Sequence, residues 1–182
     1  RQKISYDSSK KTGLRVGTHV TYRAGDQPNN AFSLNVFKKG QTALSGGTSG
    51  VIYSLTDFQS VKKNLKLNYF AHIDYSDKVR SIGELACING AGAMLKWLKN
   101  LFGENSYQNM DKIAATTSIG SNKLAVFPFG NGSERILDNQ NIGGQFSSIN
   151  FNTHSKAQFF RATIEGIAFA FVYTMGLSLI HI

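Results

Sequence analysis

A chain of 182 residues with 41% hydrophobic and 17% charged side chains can build a packed core, which excludes a disordered protein. Its net charge of +9 allows a nucleic acid, an acidic surface or a phosphate-bearing ligand, but the lysines are dispersed and no basic run reaches five residues. A single cysteine, Cys87, excludes an internal disulfide; with no Cys/His cluster at zinc-ligand spacing, it points to a reducing compartment, the cytoplasm.

In chain order, residues 1–17 are polar and read as loop. Residues 19–23 alternate weakly, as a short strand does, and Gly25-Asp26 marks a turn. Ala31, Phe32, Leu34, Val36 and Phe37 then fall at helical spacing over 27–37. Pro28 fits that helix's first turn, and Lys38-Lys39-Gly40 fits its end. Residues 41–45 and 51–55 read as two strands around the loop Gly46-Gly47-Thr48-Ser49-Gly50. Residues 56–68 are polar and basic, and 68–73 read as a further strand.

Leu85-Ala86-Cys87-Ile88 is apolar and predicts an inert, buried thiol. A strong helix is predicted over 88–101, with Gly103 as its stop, and a weaker one over 106–115. Residues 124–129 form a short apolar strand entering the loop Gly130-Asn131-Gly132-Ser133, and 131–155 are turn-rich. A long helix follows over 155–175, with Ser155 as N-cap. Trp97 and the phenylalanines at 159, 160, 169 and 171 match helix faces and read as core. The uncharged residues 166–182 fall short of the roughly 20 that a membrane span needs, so a core helix is expected there. No signal peptide or initiating Met opens the chain, and it stops inside an apolar segment, so a fragment of a longer protein is expected.

Four stations could carry chemistry. Asp26, in Ala24-Gly25-Asp26-Gln27, stands between a strand end and a helix start, where open α/β sheets place ligands; the same position suits a helix cap. The loop 46–50 exposes backbone N–H groups and two hydroxyls that can wrap a phosphate, but lacks the Lys of a Walker loop; a plain glycine hairpin is the alternative. Asn89-Gly90-Ala91-Gly92-Ala93 could admit a nucleotide to a helix N-terminus, or serve close helix packing. Glu134-Arg135 suits a structural ion pair or a phosphate contact. Arg161 and Glu165, at i and i+4, suit a helix-stabilising pair. The four histidines are scattered, and none is assigned a catalytic or metal role.

The order of the stations carries more than any one of them. Gly17-Thr18-His19-Val20, Gly25-Asp26-Gln27, Gly47-Thr48-Ser49-Gly50, Gly92 with Trp97-Leu98, Glu134-Arg135 and the run from Arg161 to Phe169 together resemble the FGGY carbohydrate kinases, most of all their xylulokinases, over about residues 13–177. The resemblance implies an α/β, actin-like (ribonuclease-H-like) ATPase fold, a mixed sheet flanked by helices, here incomplete. It implies residues 1–40 as the end of a first domain and 41–182 as the first part of an ATP-binding domain. Asp26 would be the catalytic base, and Asp26 with Gln27 would bind sugar. Gly47, Thr48, Ser49, Gly92 and Lys96 would bind ATP. The implied ligands are a small sugar, ATP and Mg2+, with no nucleic acid and no membrane; a homodimer is compatible with this.

The expected reaction is phosphorylation of D-xylulose to its 5-phosphate, and the chain by itself is expected to be inactive. Gln27-Pro28-Asn29 replaces the Asn-Ala-Ala usual after the base in xylulokinases, and Ser133-Glu134-Arg135-Ile136-Leu137 replaces the family's Gly-Glu-Arg-Thr-Pro. Both bear on which sugar is taken. The competing readings are a non-catalytic actin-like domain or truncated product that binds nucleotide or a partner without turnover, and, ranked last, a basic nucleic-acid-binding module.

Overall fold

The frame is an antiparallel sheet with a long helix laid against it. The computed structural model describes residues 2–20, 25–61 and 66–178. The segment before the sheet holds β1 (Gln2–Lys3) paired with β2 (His19–Val20), and between them α1 (Tyr6–Thr12). Sequence reading expected loop here. The helix buries no residue, so it has no apolar stripe to announce it. Its ends carry the signal instead: Ser5 Oγ accepts from the Ser8 N–H, and Gly13, at φ 74°, donates to the Ser9 carbonyl. Of the strand expected over 19–23, residues 21–23 lie outside the described residues, as does Ala24.

Helix α2 (Asp26–Ser33) begins as expected but stops well before Gly40. Asn35, at φ 59°, turns the chain left-handed. Its N–H then reaches the Phe32 carbonyl at 2.9 Å, and the Val36 N–H reaches that of Ala31 at 3.0 Å. That is a glycine-type helix stop made with Asn, one of the few side chains tolerant of this conformation.

The sheet runs β3 (Thr42–Gly46), β4 (Gly50–Asp57), β6 (Ser81–Ile88) and β5 (Asn68–Ala71), in that spatial order. The predicted hairpin is present, with Gly46 opposite Gly50. Strand β6 pairs with β4 along its whole length, from Gly50 opposite Ile88 to Asp57 opposite Ser81. It was not anticipated, because Gly83 and the buried Glu84 interrupt its apolar pattern. Of the predicted basic stretch 56–68, residues 62–65 lie outside the described residues.

Helix α3 (Ala91–Leu101) starts later than predicted, since Ile88 closes β6. Helix α4 (Tyr107–Ala114) is capped by Ser106 Oγ, which accepts from the Asn109 N–H. Strand β7 (Ala125–Phe129) pairs with β8 (Gly143–Ser147), which sequence reading took for turn-rich loop. Helix α5 (Lys156–Ser178) opens as expected at Ser155, whose N–H and hydroxyl both reach Gln158 Oε1 at 2.8 and 2.9 Å. Residues 179–182 of the apolar end lie outside the described residues.

Four apolar clusters hold these elements together. Ala31 and Val36 seat α2 and its following segment on Ala43, Tyr53 and Leu55 of the sheet. Ile88, Ala91, Phe129, Ile136 and Ala170 join β6, α3, β7 and α5. Leu98, Met110, Ala114 and Phe160 join α3, α4 and α5, and Leu124, Val126 and Ala162 tie β7 to α5. Among the described residues no helix is long and apolar enough to cross a membrane.

Candidate functional site

The turn between β3 and β4 and the N-terminus of α3 meet through bare backbone. The Ala93 N–H donates to the Thr48 carbonyl at 3.0 Å, and a Cβ built on Gly92 would stand 2.1 Å from the Gly47 carbonyl oxygen. Only a glycine allows that approach. The two readings of Gly92, close packing and a ligand wall, thus describe one position, because its helix face also lines a cleft.

That cleft measures about 790 Å³. Gly46, Gly47 and Thr48 form one side and Ala91, Gly92, Ala93 and Lys96 another; Asn131 comes from the loop after β7, and Ile167 and Phe171 come from α5. Among the described residues of this lining Lys96 is the one charged side chain, and none carries a carboxylate. A partly apolar cleft with one ammonium group and small-residue walls suits a polyanion with an apolar body. Four residues singled out from sequence, Gly47, Thr48, Gly92 and Lys96, therefore come together. Ser49 sits in the same turn, half-buried, its carbonyl accepting from the Gly47 N–H at 3.0 Å.

Asp26 and Gln27 do not line this cleft. Asp26 is exposed at the start of α2, where Gly25 as N-cap offers no side chain. Its Oδ1 accepts from the Gln27 N–H at 2.9 Å, and its Oδ2 from Gln27 Nε2 at 3.4 Å. Asp26 is thus not the N-cap that its position suggested, since Gly25 holds that place; its carboxylate satisfies one N–H of the first turn and is otherwise open to solvent.

Sequence reasoning missed several lining groups. Trp97, expected in the core, is 52% exposed and faces the cleft, with Asn100 and with Tyr107 of α4. Phe169 is likewise no core residue, at 68% exposed. It lies along an apolar groove of about 580 Å³ between β7 and α5, with Tyr173. The periodicity that marks these residues as apolar cannot say which apolar face of a helix finds a cover.

The remaining stations are structural. The Cys87 thiol donates to Asn89 Oδ1 at 3.1 Å. Burial and the Glu134 carboxylate push it above the ordinary thiol range, against an opposing hydrogen bond with Ser49. A thiol kept protonated in this way is a poor nucleophile. No ion pair joins Glu134 to Arg135 among the described residues; instead Glu134 adopts φ 44° and its carbonyl accepts from the Asn139 N–H. No group of three or more His, Cys, Asp or Glu able to hold a metal occurs among the described residues.

Arg161 Nε does pair with Glu165 Oε1, at 2.7 Å. Glu165 also accepts from the Gly120 N–H at 3.0 Å and from Ser121 Oγ at 2.9 Å, so it ties a loop before β7 to α5. Burial pushes this carboxyl up, but Arg161, Gly120 and Ser121 outweigh it and hold it below the usual range. A depressed carboxyl contributes stability that is full above the unfolded value and is lost as pH falls through the folded one. Glu165→Gln is therefore expected to lower the thermal midpoint at neutral pH, with the gap to the parent closing as pH drops below 4.5, the group's ordinary value. Melting curves of both proteins at several pH values would check this.

Known proteins resemble this chain in sequence and in fold. The xylulose kinase of Staphylococcus epidermidis is 31% identical over 168 residues, which are 92% of this chain and 33% of that protein. The gluconokinase of Bacillus subtilis is 27% identical over 189 residues, 98% of this chain and 36% of that protein. The ligand-bound xylulose kinase of Lactobacillus acidophilus superposes with a TM-score of 0.80 at 26% identity, over 97% of this chain and 35% of that one. The chain is similar in sequence and in fold to a stretch of the FGGY carbohydrate kinases. It spans about a third of the length of the kinases it matches. No family model matches it. The kinase stretch is an α/β unit of the actin-like ATPase type, represented in part.

Proposed function

We propose that the chain is part of an ATP-dependent sugar kinase whose substrate, by kinship, is D-xylulose, giving D-xylulose 5-phosphate and ADP. The observation that carries this is the convergence of the glycine turn, Gly92 and Lys96 on one cleft. ATP lies against the turn on this reading. Gly47, Thr48 and Ser49 face its phosphates, Gly92 admits it to α3, and Lys96 supplies the cation. Mg2+ bound with ATP would neutralise charge developing on the phosphates, and among the described residues lining the cleft Thr48 and Asn131 offer neutral oxygens towards it.

Residues 1–40 close the sugar-binding lobe and 41–182 open the ATP-binding lobe. Asp26 and Gln27, outside the cleft, then sit on the sugar side. As the sugar oxygen bonds to the γ-phosphorus, the bond from phosphorus to the bridging oxygen of ADP breaks, and the hydroxyl proton passes to the Asp26 carboxylate. Phosphoryl transfer asks for placement and charge stabilisation more than covalent help, and these parts offer both. On the same reading the enzyme works in the cytoplasm, and residues 1–182 alone do not turn over.

The test is a sugar panel on the full-length protein with ATP, read as ADP formed, with D-xylulose, gluconate and glycerol among the sugars. ADP release that depends on D-xylulose supports the reading in full. Release with gluconate alone keeps the kinase and changes its substrate. Nucleotide binding without turnover on any sugar overturns it in favour of a non-catalytic actin-like unit.

A further inference from the structure

Away from the cleft, the sheet holds a buried polar pair that neither the nucleotide nor the sugar would touch. His72, just beyond β5, is 3% exposed. Its Nδ1 lies 3.1 Å from the Tyr53 hydroxyl, and Tyr53 is itself 1% exposed at the centre of β4. Room for that contact is made on the neighbouring strand. A Cβ on Gly83 would stand 1.9 Å from the Tyr53 hydroxyl oxygen, so β6 carries a glycine where the phenol passes. The backbone adds a further hold, since the His72 N–H donates to the Ser81 carbonyl at 3.0 Å.

On its other side the ring meets the segment that follows α2. Phe37 packs edge-on against it, with ring centroids 5.9 Å apart and planes at 79°. Val36 is buried in the same cluster as Ala31 of α2 and Tyr53. The segment is also folded on itself: Gln41 Oε1 accepts from the Phe37 and Lys38 N–H groups at 2.9 and 2.8 Å. A continuous set of contacts thus runs from His72 through Phe37, Val36 and Ala31 to the helix whose first residue is Asp26. Nothing about a simple core requires an imidazole at its centre, and among the described residues the buried Nε2 has no hydrogen bond of good geometry, only the weaker pull of the Val36 backbone. A buried, half-satisfied polar group costs stability, so its presence asks for a role that an apolar side chain would not fill.

We propose that His72 is a positioning residue: with Tyr53 it seats residues 34–38 on the sheet and so fixes where α2 presents Asp26. This rests on the reading of Asp26 as the base. It makes His72 a conformational determinant of kcat, remote from ATP. Burial holds the imidazole below its ordinary value, while the Asp74 carboxylate and the Val36 backbone oppose that shift. Tyr53 from β4 and Asp74 from the ring's own loop are the titratable groups facing it among the described residues. The neutral ring is therefore the working form, and acid places a charge between Phe37 and Tyr53 that the seat does not tolerate.

The experiment compares the full-length parent with His72→Gln and Tyr53→Phe, by sugar-dependent ADP release across pH. For His72→Gln, kcat is expected to fall about tenfold with KM for ATP within about twofold, since small misplacements of a reacting group are costly while nucleotide contacts are untouched. The parent's kcat should lose activity at some pH below 6.5, the ordinary histidine value, and His72→Gln should lack that limb. Tyr53→Phe, which removes only a hydroxyl, should lower kcat in the same direction; it decides the matter if His72→Gln does not fold. Folded variants with the parent's kcat and pH profile would overturn the proposal while leaving the kinase reading intact. A parent inactive on every sugar would sink that reading, and this proposal with it.

Discussion

Asp26→Asn in the full-length kinase is expected to lower sugar-dependent kcat at least a hundredfold, the lower bound for loss of a positioned general base, while leaving ATP affinity nearly unchanged. The substitution keeps the side chain's size and its acceptor oxygen. That oxygen can still take the Gln27 N–H now held by Oδ1, so α2 should keep its start. What is lost is the capacity to accept a proton. ATP affinity should hold because Asp26 lies outside the cleft that gathers the glycine turn, Gly92 and Lys96. The checks are steady-state ADP release and calorimetric ATP binding on the same preparation. Turnover at the parent's rate would remove Asp26 from the mechanism and leave it only its bond to the Gln27 N–H.

Gly92→Ala should be a severely damaging change at the nucleotide side. In an exposed helix this exchange would stabilise by roughly 1 kcal/mol. Here the new Cβ stands 2.1 Å from the Gly47 carbonyl oxygen and 3.3 Å from the Thr48 Cα, and both atoms are backbone. The turn must move away, and the bond from the Ala93 N–H to the Thr48 carbonyl is then strained or lost. Overpacking of this kind costs about 1–3 kcal/mol, so the expected result is a net fall in thermal midpoint and a KM for ATP raised at least about tenfold. Gly47→Ala is the matching control. Its Cβ would meet nothing nearer than the Ser49 carbonyl at 3.8 Å, so its folded stability should match the parent's.

Much of this site was legible before any coordinates, for reasons that differ between residues. The glycine turn announced itself because a five-residue run of Gly, Thr and Ser between two apolar strands has few other uses. Helix α5 was legible through its length and through Ser155 as N-cap; the reply of Gln158 to Ser155 came only with the structure. Strand β6 was not, because a central strand is stabilised by neighbours on both sides and can carry Gly83 and Glu84, which local propensity counts against it. The early stop of α2 was hidden for a similar reason. Asn35 does the work of glycine, and the apolar spacing continues past it into a segment that packs without being helical. Trp97 shows the limit of pattern: helical spacing marks it as apolar, and only the arrangement of α4 and the β3–β4 turn makes it a wall of the cleft.

The Gly47 amide has a kinetic consequence. Its proton is already engaged by the Ser49 carbonyl across the turn at 3.0 Å. A phosphate oxygen that takes it must displace an existing partner, so capture there is an exchange of one acceptor for another. Such a step gains little enthalpy and needs a momentary opening of the loop. Association of nucleotide on this reading is then gated by the turn's own breathing, and its rate should fall short of the diffusional ceiling even where the equilibrium favours the complex.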